Sequence, residues 1–190
     1  MAMFRISRRV AQRDNLPIGA KHGGRERLGD LFQTLGLNRG AEIGTKKGDF
    51  AKVLCTANPE LTLFCVDAWS AGFGGHQEVH DRYHQQAVSV LAPLKVTIIR
   101  KPSMEAVRDF ADKSLDFVYI DANHSFDCVA PDIIFWSQKV RSGGIVACHD
   151  YFAHINGGVM KAVDAYTHCH HIDPWYVTEE VYPTAFWVRP

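Results

Sequence analysis

The sequence lacks a net charge, a cysteine pattern and any long apolar run, and each absence argues against a class of protein. Its 21 basic residues balance 21 acidic ones, so no general basic field favours nucleic acid as a partner. Its five cysteines are odd in number and contain no C-x-x-C, which is typical of buried thiols in a reducing compartment. No apolar run approaches the length that spans a membrane. We therefore expect a cytoplasmic protein with no membrane partner and no nucleic-acid partner.

Two catalytic signatures are also missing. The G-x-G-x-x-G fingerprint of dinucleotide-binding proteins is absent, which disfavours a nicotinamide- or nucleotide-dependent oxidoreductase, although such an enzyme stays an alternative. The absence of a G-x-S-x-G elbow argues against an α/β-hydrolase. With 190 residues, the chain is long enough for one α/β domain but too short for two of ordinary size. We predict a flexible N-terminal arm or lid over residues 1–24 and a single domain over residues 25–190.

The most informative stretch present is LNRGAEIGTKKGDFAKV, which begins at Leu37. It predicts a strand through Glu42, a turn with Gly44 and Gly48, and a helix directly after the turn. Glycines at such a turn let backbone N–H groups approach a ligand at the start of the helix. A carboxylate beside the turn repels phosphate but suits a cationic ligand, and S-adenosylmethionine carries both a sulfonium and an amino group. Because glycine-rich turns are common in α/β proteins, this motif alone does not decide the function.

A second acid strengthens this interpretation. Asp67 closes the next apolar run, LTLFCVD, about 20 residues after the glycine turn, as expected for an acid that binds ribose hydroxyls. The glycine-rich loop that follows contains Trp69 and Phe73. It predicts either a segment that closes over substrate or an ordinary connection.

The second half of the chain supplies acids and histidines at the ends of two apolar runs. The run LDFVYID ends at Asp121 and is typical of a central parallel strand that is buried on both faces. The run GIVAC is followed by His149 and Asp150. Because the carboxyl ends of parallel strands meet at one edge of a sheet, these three side chains are expected to lie close together. Oxygen and imidazole ligands in such a group can hold a divalent metal.

The whole pattern predicts an α/β fold with a doubly wound, seven-stranded, mostly parallel sheet and a C-terminal antiparallel hairpin. From about Glu26 onward the chain resembles the class I S-adenosylmethionine-dependent methyltransferases. It is most similar to the metal-dependent small-molecule and sugar O-methyltransferases of the macrocin and cephamycin-biosynthesis type, which are related to catechol methyltransferases. The stretches that carry the resemblance are AEIGTKKGDF, CVDAW, FVYIDANHSFDCVAPDI and RSGGIVACHDY.

The resemblance implies a role for each matching residue around S-adenosylmethionine. The residues implied to hold the methionine part of the cofactor are Glu42, Gly44 and Gly48. Asp67 is implied to accept the ribose hydroxyls, and Ser103 and Met104 are implied to border the adenine. Asp121 is implied to lie at both the cofactor and the metal and to be a catalytic residue together with His124.

The resemblance also implies a metal and a base. Asp121, His149 and Asp150 match the positions that bind Mg²⁺ in metal-dependent relatives. His124 lies where those relatives place a catalytic lysine or histidine. Histidine at 149 in place of an acid suits a softer divalent ion than Mg²⁺. The implied reaction is methyl transfer to an acceptor hydroxyl that the metal acidifies, with His124 removing the proton.

Several alternatives stay open. The chain could be a catalytically silent protein that binds S-adenosylmethionine. His124 could instead cap the next helix, and Asp150 could be a turn or N-cap residue. The acceptor is expected to be a small molecule or a sugar, and the small size of the domain is compatible with a homodimer.

Overall fold

The structure is a computed structural model, and it describes residues 5–6, 17–21, 23–73, 75–153 and 157–190. The described strands are β1 (Arg5–Ile6), β2 (Ile18–Lys21), β3 (Arg39–Ile43), β4 (Thr62–Asp67), β5 (Val96–Arg100), β6 (Leu115–Ile120), β7 (Val140–Cys148), β8 (Trp175–Thr178) and β9 (Ala185–Val188). The described α-helices are α1 (Arg27–Thr34), α2 (Asp49–Ala57), α3 (Gln77–Leu91), α4 (Ser103–Ala106), α5 (Phe126–Lys139) and α6 (Gly158–Cys169). None of these helices is long and apolar enough to cross a membrane.

The strands form one sheet in the order β1-β2-β8-β9-β7-β6-β3-β4-β5. The five strands β3 to β7 are mutually parallel, whereas β9 is antiparallel to both β7 and β8. This arrangement confirms the predicted doubly wound fold and the C-terminal hairpin. The direction of winding reverses between β3 and β6, and ligands of such sheets bind in the crevice outside the carboxyl ends of the strands at that point.

The sheet has nine strands rather than the predicted seven, because the N-terminal segment adds two at one edge. In β2, Ile18 aligns with Tyr176 of β8, and the two strands run parallel. Most of the predicted arm, residues 1–24, lies outside the described residues. The four residues IGAK include only one β-branched residue and give a weak strand signal on their own, and the strand is stabilised by pairing with β8.

Two apolar layers cover the faces of the sheet, and β6 contributes to both. Phe117 packs on one face, where its ring stacks on Phe32 of α1 at 4.0 Å between centroids. Val118 faces the other layer, which contains Trp136 of α5. Gly40 of β3 is needed for this packing, since a Cβ there would lie 2.1 Å from the Phe117 ring. Burial on both faces explains why β6 reads as a continuous apolar run.

Candidate active site at the sheet edge

The glycine turn after β3 packs directly on the end of β6. Gly44 has a φ of +96°, and a Cβ at this position would lie 2.1 Å from the Asp121 carbonyl oxygen. The Asp121 N–H donates to the Ile43 carbonyl oxygen at 2.7 Å. Gly48 adopts a φ of +83° as the N-cap of α2. Both glycines are therefore required by backbone conformation, and the turn fixes the start of α2 beside the end of β6.

Glu42 is buried beneath this turn, with 2% of its surface exposed. Burial, together with the smaller effect of the Asp121 and Asp67 charges, raises the pKa of its carboxyl group to about 8, against the lowering effect of the neighbouring Thr45 hydroxyl. Its Oε2 atom has no hydrogen-bond partner among the described residues. A buried polar atom of this kind calls for a water or a ligand group to satisfy it.

Asp67 connects the glycine turn to the end of β4. Its Oδ2 accepts a hydrogen bond from the Lys46 N–H at 2.8 Å, and its Oδ1 accepts one from the Trp69 N–H at 2.7 Å. The Trp69 side chain is buried, and its Nε1 donates to the Lys46 carbonyl oxygen at 2.7 Å. Trp69 therefore holds the glycine turn through this hydrogen bond. The side chain of Phe73, the other aromatic residue of the loop, lies outside the described residues.

Ser103 stands at the start of α4, but its hydroxyl group is engaged inside the protein. Its Oγ accepts a hydrogen bond from Trp136 Nε1 at 2.8 Å and donates to Asp132. Burial raises the pKa of the Asp132 carboxyl to about 6, while the hydrogen bond from Ser103 opposes that shift. Any contact of Ser103 with a ligand would thus come from its backbone. Met104, the second predicted adenine neighbour, packs against the core as a partly buried side chain.

The sequence interpretation missed Asp132. The available signal was an acid on a helix beside Ile133, which has no exposed surface. Acids are rarely buried without a partner, so an acid in an apolar helical stretch can reveal such a polar contact.

Three side chains converge at the carboxyl ends of β6 and β7. They are Asp121, His124 and Asp150, and they offer ligand atoms that all lie within 4.8 Å of one another. His124 Nε2 lies 3.1 Å from Asp150 Oδ2 and 3.7 Å from Asp121 Oδ1. Asp121 and Asp150 together raise the pKa of the imidazole, against the effect of its partial burial. Because Nε2 lies near two carboxylate acceptors, these favour the neutral tautomer that carries its hydrogen at Nε2, which leaves Nδ1 as the accepting nitrogen.

His149 lies beside this group, and the predicted metal set of Asp121, His149 and Asp150 stays a prediction. The His149 N–H donates to the Ile120 carbonyl oxygen at 2.9 Å, and the side chain is buried, with 7% exposed. Its Nδ1 lies 3.2 Å from Thr184 Oγ1, and its Nε2 is 3.6 Å from Asp150 Oδ1. Burial lowers the pKa of His149.

The backbone explains why His149 and Asp150 differ. Successive residues of an extended strand point to opposite faces, and the chain leaves β7 through Asp150 with a φ of +61°. A non-glycine residue adopts this conformation only at a cost, which marks the position as one that the surrounding structure enforces. After this turn the Asp150 carboxylate lies beside His124, whereas Nδ1 of the His149 ring lies beside Thr184.

Arg25 is a second residue that the sequence interpretation missed. Its Nη1 lies 3.3 Å from Asp121 Oδ2, and its guanidinium group lies over the Phe50 ring, 5.0 Å from the centroid. Its backbone N–H donates to Glu180 Oε1 at 2.7 Å. Since Arg25 and Asp121 are 96 residues apart, no local pattern signals this contact. The Asp121 carboxylate therefore lies between the Arg25 guanidinium group and the His124 imidazole.

Comparison with protein families places this geometry in context. The family model described as a methyltransferase domain matches residues 41–151, which contain the glycine turn, Asp67 and the cluster through Asp150. The uncharacterized protein y4gI of Sinorhizobium fredii (strain NBRC 101917 / NGR234) is 29% identical over 131 residues. That match covers 63% of this chain and 14% of the relative, so the chain spans only a small part of the relative's length.

Solved structures share the fold at low sequence identity. An O-methyltransferase from Bacillus cereus in complex with SAH superposes with a TM-score of 0.63 at 16% identity, covering 86% of this chain and 79% of that one. The O-methyltransferase TomG from Streptomyces achromogenes, in complex with SAM, gives 0.60 at 18% identity, covering 86% and 80%. The spermidine synthase from Thermotoga maritima gives 0.60 at 12% identity, covering 85% and 57%.

These structures demonstrate the fold, and the fold alone does not specify an acceptor. The match to the family model covers more than half of the chain and includes the residues that build the candidate site. The chain therefore belongs to the methyltransferase-domain family and has the fold of the class I S-adenosylmethionine-dependent methyltransferases.

Proposed function

We propose that this protein transfers the methyl group of S-adenosylmethionine to a hydroxyl group of a small molecule or a sugar, with the help of His124 and a divalent metal. The observation that carries this proposal is the position of the Asp121, His124 and Asp150 group, directly beside the glycine turn. Asp121 belongs to that group through its side chain and contacts the turn through its backbone. A methyl donor on the turn would thus be adjacent to groups that can bind and deprotonate an acceptor.

The cofactor site fits the polar groups of S-adenosylmethionine. Gly44 and Gly48 leave two positions of the turn without a side chain, and the buried Glu42 carboxyl group has an unpartnered oxygen that suits the amino group of the cofactor. Asp67 would accept the ribose hydroxyls through the lone pairs that Lys46 and Trp69 leave free. Met104 would contact the adenine from α4.

The metal-capable group fits a divalent ion by the chemistry of its donors. Asp121 and Asp150 supply carboxylate oxygens, and the third donor would be an imidazole nitrogen of His124 or of the neighbouring His149. Imidazole in the set suits a softer divalent ion better than Mg²⁺. When bound, the ion would lower the pKa of an acceptor hydroxyl group.

His124 would take the proton from the acceptor hydroxyl at Nδ1. Its Nε2–H points toward Asp150 and Asp121, and both carboxylates stabilise the imidazolium that forms, as in other acid–imidazole pairs. His124 cannot coordinate a metal through Nε2 and keep this hydrogen at the same time. The role of base therefore requires that Asp121 and Asp150 hold the ion and that His124 stays free of it.

A calorimetric titration with S-adenosylhomocysteine, with and without Mg²⁺ or Mn²⁺, tests the cofactor assignment first. We expect micromolar binding, and the absence of binding in every condition would refute the proposal. A screen of hydroxyl acceptors with radiolabelled S-adenosylmethionine then tests the reaction. Binding without methyl loss to any acceptor would favour the catalytically silent alternative.

Variants at two histidines test the base. We expect His124→Ala to lower the methyl-transfer rate by roughly 100-fold or more, as for other general bases. His168→Ala provides a matched control, since His168 lies on α6 with an exposed side chain. Full activity of His124→Ala across neutral pH would rule out the base assignment.

A further inference from the structure

We infer that Arg25 is a positioning residue that controls metal affinity by occupying one oxygen of Asp121 in the metal-free protein. This inference rests on the proposed function, because it concerns the same group of Asp121, His124 and Asp150. The guanidinium group and a divalent ion compete for Asp121 Oδ2.

The contact between Arg25 and Asp121 is weak enough for a metal ion to displace it. A single guanidinium nitrogen meets a single carboxylate oxygen at 3.3 Å, with 35% of the Arg25 side chain and 24% of the Asp121 side chain exposed. Arginine binds carboxylates most strongly with two parallel hydrogen bonds at shorter distances. A one-point contact between partly exposed groups is weak, so an ion that offers Asp121 two positive charges can replace it.

The backbone of Arg25 is held by a hydrogen bond, and its guanidinium group has the Phe50 ring and Tyr119 as neighbours besides Asp121. The Arg25 N–H is bonded to Glu180 Oε1, which also accepts a hydrogen bond from the Thr178 hydroxyl at 2.8 Å. The preceding Gly24 lies against the same carboxylate, since a Cβ there would lie 2.8 Å from Glu180 Oε2. The guanidinium group that leaves Asp121 therefore stays near the site, where the Phe50 ring offers a cation–π contact.

Electrostatics gives the direction of the effect. With Arg25 in place, a divalent ion on Asp121 meets a positive charge at close range and must also displace a counter-charge. Removing the guanidinium group removes both costs, so metal affinity should rise. His124 does not share this oxygen, because its Nε2 lies 3.7 Å from the other carboxylate oxygen of Asp121, Oδ1.

The test measures Mn²⁺ affinity by electron paramagnetic resonance of the free ion, in protein saturated with S-adenosylhomocysteine. We expect Arg25→Met to bind Mn²⁺ roughly tenfold more tightly than the unmodified protein, and Arg25→Lys to stay close to it because the charge is kept. Arg27→Met is the matched control, since Arg27 pairs with Asp30 on the surface of α1, and it should leave the affinity unchanged. Arg25→Gln provides a second neutral variant if Arg25→Met does not fold.

The outcomes separate this inference from the proposed function. Equal or weaker Mn²⁺ binding by a folded neutral variant would overturn the role of Arg25. If no variant binds Mn²⁺ while all bind S-adenosylhomocysteine, both the role of Arg25 and the metal site are refuted. The proposal of methyl transfer with His124 as the base and without a metal then remains. Loss of S-adenosylhomocysteine binding by the unmodified protein would instead refute the proposed function itself.

Discussion

Replacing Glu42 by glutamine should change how the stability of the protein depends on pH. The pKa of Glu42 is about 8 in the folded protein against an ordinary value of 4.5. Between these values the folded state holds a proton that the unfolded state releases, so rising pH favours unfolding. Each pKa unit corresponds to about 1.36 kcal/mol, and the linkage between pH 5 and pH 8 amounts to about 3 kcal/mol. Glutamine stays neutral and removes this loss.

The assay is urea unfolding of both proteins at several pH values between 5 and 8. We compare the free energy of unfolding of Glu42→Gln with that of the unmodified protein at each pH. Relative to the unmodified protein, the variant should gain about 3 kcal/mol between pH 5 and pH 8, whatever the difference at pH 5. Glu60→Gln is the control, because Glu60 is exposed and pairs with Lys95 on the surface. Parallel pH profiles for the unmodified protein and Glu42→Gln would show that Glu42 is ionised in the folded state, and the reasoning from its burial would be wrong.

Two further predictions concern the turn and the base. Gly44→Ala should lower the free energy of unfolding by about 2 kcal/mol or more, because its Cβ would meet the Asp121 carbonyl oxygen and its φ is positive. Gly36→Ala is the control, because φ is also positive there but no atom of the described residues lies within 4 Å of an added Cβ, and it should cost about 1 kcal/mol. Equal losses of stability in thermal denaturation of the two variants would argue against the close approach of Gly44 to the Asp121 carbonyl oxygen. In a histidine NMR titration of metal-free protein, His124 should titrate above its ordinary 6.5, and Asp150→Asn should lower that midpoint. An unchanged midpoint in Asp150→Asn would exclude the effect of the Asp150 charge.

The parts of the structure that follow from local pattern were predictable from the sequence. The apolar run that became β6 is buried on both faces, and the glycines of the turn adopt the positive φ values that explain their presence. Such features depend on neighbours in the chain, so their signal lies in the sequence. The placement of Asp121 at the end of a central strand follows in the same way.

The missing parts depend on contacts between distant segments. The strand at Ile18–Lys21 exists because β8 pairs with it, and the contact of Arg25 with Asp121 joins residues 96 positions apart. The contact of His124 with Asp150 depends on the backbone turn at Asp150. None of these features changes the local hydrophobic pattern, so a prediction from hydrophobic periodicity cannot detect them.

Asp121 connects every part of the candidate site, and this limits what its own substitution can reveal. Its backbone contacts the turn at Ile43 and Gly44, while its two carboxylate oxygens face Arg25 and His124. Energies of residues in one such network are not additive, because removing the shared member changes all its partners together. An Asp121 variant would therefore lose activity under every mechanism considered. Variants at Arg25 and His124 change one oxygen's partner each, and only they can separate the metal from the base.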